Sequence, residues 1–143
     1  MDTLFMISNL VVLPFWLVMI LFPRRGLTHR IMRSLWPVVP VPVLYAALVL
    51  PQLGALAPVL ANPSLAGISA GLATPGAALI GWAHFLAFDL FVGRWAYLDS
   101  RERGLSPWLV SPVLLFIFML GPFGFLLYLL VRTLAKGQSA QAV

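Results

Sequence analysis

The sequence predicts an all-α membrane protein: a polytopic bundle of four spanning helices with kinked second and fourth members and both termini on the non-cytoplasmic side. Three observations lead there. Of 143 residues, 62% are apolar and 9% charged, against about 45–50% and about 25% in a soluble domain. The apolar residues gather into stretches long enough to cross hydrocarbon, which takes about 20 residues per helix. Most of the charges fall in the gaps between those stretches.

The first stretch, about residues 3–22, ends where Pro23-Arg24-Arg25-Gly26 stops both apolar character and helix. It opens on Asp2 instead of a basic region and outruns a signal-peptide core, so it reads as a retained span. The second stretch, about 35–58, contains Pro37, Pro40, Pro42 and Pro51, so neighbouring helices must satisfy the carbonyls that proline leaves free. The third runs over about 76–98 and the fourth over about 108–131. The tail, residues 132–143, is expected to fray and be flexible. The uncharged connection over residues 59–75 is rich in small residues; it either dips into the outer leaflet or stays exposed.

Lysine and arginine near span ends are retained in the cytoplasm. The first connection carries Arg24, Arg25, Arg30 and Arg33, and the third Arg101 and Arg103, whereas residues 59–75 carry none. Both basic connections are therefore expected inside. Arg132 and Lys136 oppose this assignment and are outnumbered. Trp36, Trp95 and Trp108 sit beside the basic connections, at headgroup depth.

The net charge of +5 thus records orientation, not a nucleic-acid partner, which would require a basic stripe on a soluble surface. With 0 cysteines and 2 histidines, of which His29 lies in a basic connection far from His84, no metal site is expected. No phosphate-cradling glycine pattern and no nucleophile-elbow serine occurs, and no cofactor is expected.

Chemistry concentrates in the third stretch, where His84, Asp89 and Arg94 interrupt an otherwise apolar run. An Asp or Arg at a helix centre costs about 2.5–3.5 kcal/mol on insertion scales, so such residues persist when paired, hydrated or functional. Positions five apart differ by about 140° around the axis and about 7.5 Å along it. Asp89 belongs near the midplane, His84 about two turns outward of it, and Arg94 near the inner surface. Each has a plain alternative: Arg94 snorkelling to phosphate or pairing with Asp99, Asp89 bridging helices, His84 packed and hydrogen-bonded. Asn9 should lie level with His84 and Tyr45 level with Asp89. Gly121-Pro122-Phe123-Gly124 should break the fourth helix. Phe85, Phe88, Phe91, Phe116, Phe118 and Phe123 would line a shared cavity or face lipid. The chemistry that survives is acid–base work by His84 and Asp89 on a lipophilic substrate.

Val12-Leu13-Pro14-Phe15-Trp16, Pro23 with its basic connection, Trp82-Ala83-His84, Asp89-Leu90-Phe91 and Gly121-Pro122-Phe123-Gly124 resemble the abscisic-acid-deficient-4-like membrane proteins, whose plant members are associated with neoxanthin synthesis from violaxanthin. The resemblance covers most of the chain from Asn9 to Val131. It implies a carotenoid substrate or pigment, held among Asn9, Trp16, Tyr45, Trp82, Phe85, Phe88, Arg94 and Pro122. It also implies a cofactor-independent isomerisation, in which a protonated Asp89 opens an epoxide and His84 accepts a carbon-bound proton, or the reverse. The chain opens on its first span without a plastid transit segment, which points to a bacterial inner membrane. The alternative is a non-catalytic subunit that binds pigment or lipid, or assists a larger complex, as a partner or homo-oligomer.

Overall fold

A computed structural model describes the backbone of residues 1–140 and side chains through Ala135. Among the described residues the chain is helical throughout: α1 (Asp2–Leu21), α2 (Gly26–Arg33), α3 (Pro40–Val49), α4 (Leu53–Ala61), α5 (Leu65–Leu72), α6 (Pro75–Glu102), α7 (Pro107–Leu120) and α8 (Pro122–Ala140). Three stretches are long and apolar enough to cross a membrane: α1 with 20 residues, the interrupted run Trp36–Ala61 with 26, and α6 with 28. The expected tail falls partly on residues 141–143, outside the described residues; α8 itself continues to Ala140.

Proline dictates the form of the second crossing. Short 3-10 turns at Trp36–Val38 and Leu50–Gln52 bracket α3, and Pro40 opens that helix at a position that requires no N–H. The connection over residues 59–75 is not a plain loop. Ser64 accepts from the Gly67 N–H at 3.1 Å and starts the eight-residue α5, then Thr74 accepts from the Ala77 N–H at 3.3 Å and starts α6. Side-chain oxygens thus take up N–H groups that a helix start leaves unpaired.

Helix α6 forms the spine, and α1, α3, α7 and α8 pack around it. Helix α1 approaches α6 closely at Gly93, where the buried Trp16 ring occupies the space a Cβ would need. The short amphipathic α2 buries Thr28 and Met32 while Arg30 and Arg33 stay exposed.

The fourth expected span needs correction. It is two helices folded back on one another, not one kinked helix. Gly121 takes φ +39° and ψ −99°, a conformation that L side chains rarely adopt, and reverses the chain. A Cβ on Gly124 would fall on the backbone of Phe116 and Ile117, so α8 returns along α7 at backbone contact. The apex at Gly121 lies against Asp89, midway along α6. From there the Phe125 and Tyr128 rings pack on Trp95 at 5.7 and 5.5 Å, and Tyr128 and Arg132 reach Asp99. With 14 residues, α7 is about 21 Å long and reaches half the depth of the assembly. Consequently Met1 lies by Gly76 at one end of α6 and Arg132 by Asp99 toward the other. The expectation of both termini on one side rested on reading this helical hairpin as a span.

Candidate functional site

Asp89 stands where the hairpin stops. A Cβ added at Gly121 would sit 2.6 Å from its Oδ1, so only glycine leaves room for the carboxyl at the apex. Asp89 is half-buried and, among the described residues, its side chain forms no hydrogen bond or ion pair. Among the described residues α7 and α8 meet at the apex, and outward of it α6 packs on α1, α3 and α5. This leaves an aromatic face of α6 open, with Trp82 40%, Phe85 60% and Phe88 59% exposed.

One edge of that face is fixed by Asn9, whose Oδ1 accepts from Trp82 Nε1 at 3.2 Å while its Nδ2 donates to the Phe5 carbonyl at 2.7 Å. Phe5 packs on Trp82 at 5.5 Å. The opposite edge is His84, exposed, with its ring 4.7 Å from Phe88, 5.6 Å from Tyr45 and 6.2 Å from Phe85. Tyr45 therefore attends His84, not Asp89. The two polar groups flank Phe85 and Phe88 without touching, as a separation of about 140° around one helix requires.

Pro122 is exposed at the apex, beside Asp89. The other implied contacts lie elsewhere. Trp16 is a core residue, 1% exposed, packed on Gly93 and on Phe118 at 5.2 Å. Arg94 donates from Nε to the Ser34 carbonyl and from Nη2 to the Arg33 carbonyl, each at 3.1 Å. It thereby closes the carboxyl end of α2, where free carbonyls and the helix dipole favour a cation. It neither pairs with Asp99 nor approaches the open face.

Asp99 organises a cluster that sequence reasoning missed. Its Oδ2 accepts from Arg103 Nε at 2.7 Å and from the Tyr128 hydroxyl at 2.6 Å, and its Oδ1 from Arg132 Nη2 at 3.3 Å. Arg132 Nε is also 3.0 Å from Oδ2, close enough for an ion pair though not aligned as a hydrogen bond. The cluster ties α8 to α6 and locks the hairpin's return. Its signal was present: Asp99 and Arg103 are one helical turn apart, and Arg132 was one of the two residues that opposed the charge rule.

These features define a polytopic helical membrane protein in which Asp89, unpaired among the described residues and midway along α6, meets an open, aromatic, apolar face. The chain belongs to the ABA DEFICIENT 4-like (ABA4-like) family, which it matches over residues 3–128. That places it among carotenoid-related membrane proteins. No match was found among curated proteins or among solved structures.

Proposed function

We propose that this chain isomerises a carotenoid end group at the open face of α6, with Asp89 as acid and His84 as base. The observation that carries the reading is Asp89 itself, a carboxyl without a partner at the hairpin apex, where a lipophilic end group can reach it sideways from the bilayer. The Asp89 carboxyl gives its proton to the epoxide oxygen and the ring carbon–oxygen bond opens. His84 then takes a vinylic proton, which leaves an allene. The substrate gains one proton and loses one, so no oxidant or reductant is needed, and turnover returns the proton from His84 to Asp89. Phe85 and Phe88, between the two groups, form the surface on which the end group lies, and Asn9 holds Trp82 as its border.

The basic connections are assigned to the cytoplasmic side of a bacterial inner membrane, with the N-terminus outside and the C-terminus inside. The hairpin's return supports this, since it brings Arg132 to the same end as Arg101 and Arg103 and removes the conflict with the charge rule. A C-terminal fluorescent fusion that fails to mature in cells would refute that orientation.

The activity is tested by co-expression with an epoxy-carotenoid pathway and pigment chromatography. The wild type is expected to yield the rearranged pigment, and Asp89→Asn to lose roughly 100-fold or more of the product, as for a positioned proton donor. Product formation equal in wild type and Asp89→Asn would remove the assignment. A second reading, a non-catalytic pigment-binding or assembly subunit, is favoured by the divergence of His84 from Asp89. It requires pigment or partner to co-purify in fixed ratio while no conversion occurs.

A further inference from the structure

At the arginine-bearing end, a groove of about 650 Å³ runs between the end of α1 and the start of α7. Ile20, Leu21 and Phe22 form one wall, and Trp108, Pro112 and Leu115 the other. Arg24 and Arg25 stand at its mouth, with the Arg25 guanidinium 4.7 Å above the Phe22 ring. Through Arg24 and Pro107 the groove continues into a second hollow of about 570 Å³, which adds Arg101.

The charges are one-sided. No carboxylate lines either hollow. Among the described residues Asp99 is already engaged by Arg103 and Arg132, and Arg24, Arg25 and Arg101 form no ion pair. Ser111 lies on the apolar wall about 6 Å from the start of α7, and its hydroxyl makes no hydrogen bond among the described residues. Pro112 supplies no N–H to the Trp108 carbonyl, so that carbonyl also lacks its helical partner. The sequence along the groove is thus cationic mouth, isolated hydroxyl, apolar trough.

We propose that this groove binds one anionic phospholipid of the adjoining leaflet. The phosphate sits among Arg24, Arg25 and Arg101, the glycerol esters lie beside Ser111, and one acyl chain follows the wall from Trp108 to Leu115. A zwitterionic headgroup would bring its own cation to a mouth that contains no carboxylate to receive it. Arg30 and Arg33, at the same end, line neither hollow and supply an internal comparison.

The test is native mass spectrometry of the full chain released from nanodiscs containing equal phosphatidylglycerol and phosphatidylcholine. The wild type is expected to retain phosphatidylglycerol about tenfold over phosphatidylcholine, in line with the attraction of several arginines near a membrane surface. The Arg24→Gln/Arg101→Gln pair should fall to parity, and Arg30→Gln/Arg33→Gln should keep the preference. Ser111→Leu leaves the charge unchanged and fills the trough, so it should also release the lipid. The proposal is overturned if both arginine pairs lose the preference equally, since net charge would then be the cause, or if Ser111→Leu retains lipid like the wild type. Should the Arg24→Gln/Arg101→Gln protein not fold, Ser111→Leu decides alone.

Discussion

The two halves of this molecule are built on different principles. The half that carries the arginines is tightly packed: Trp16, Met19, Met32, Leu90, Tyr97, Leu114, Ile117 and Tyr128 are fully buried there, and Asp99 ties two helices together. In the other half α4 and α5 bury no residue, and Trp82, Phe85 and Phe88 face outward. The difference separates stability from access. One half holds the helices in register, and the other leaves a polar site approachable from lipid.

The sharpest way to break this comparison is at the hairpin. Gly124→Ala places a Cβ on the Phe116 and Ile117 backbone, and is expected to cost about 3 kcal/mol, the upper part of the overpacking range. A thermal unfolding transition in detergent that matches the wild type would show that the hairpin is not packed as described. Asp99→Asn comes next. It removes the carboxylate shared by Arg103, Arg132 and Tyr128, with an expected loss of about 2 kcal/mol. In a double-mutant cycle with Tyr128→Phe, the two effects should not add.

Smaller effects sharpen the contrast. Arg94→Ala uncovers the carboxyl end of α2 and should cost roughly 1 kcal/mol, while Arg94→Lys should recover only part of it because two carbonyls are served by a fork. In the open half, Asn9→Leu removes a single hydrogen bond to Trp82 and should cost about 0.6 kcal/mol, the usual size for such a bond within a membrane. Asp89→Asn should leave the unfolding transition nearly unmoved while abolishing pigment conversion. A large stability loss there would mean that Asp89 is a structural bridge.

Much of this division was legible in the residues. The apolar runs located α1, the proline-broken second crossing and α6, and the cost of a carboxyl in hydrocarbon singled out Asp89. Helical rise alone put Asn9 level with His84, two residues from the Trp82 it meets. What escaped was the direction of the chain after Gly121. A run of 24 apolar-rich residues over 108–131 has the length of a span whether it continues or reverses, because hydropathy measures length and not direction. The reversal depends on a positive φ and on a backbone contact between residues seven apart, neither of which leaves a periodic signature. Arg94 was read from its depth, but its role came from α2, an element too short for the pattern of spans to reveal.

The half-depth hairpin also shapes how the protein fits among lipids. Helix α1, the second crossing and α6 run through both halves; the arginine-bearing half adds α2, α7 and α8, whereas the other adds α5. Each helix with its side chains is about 10 Å across, so the cross-section narrows by about two helix diameters from one leaflet to the other. The molecule is a wedge. Such a body crowds one leaflet and leaves vacant area in the opposite one, and the lipid chains that fill this area lie directly over Asp89.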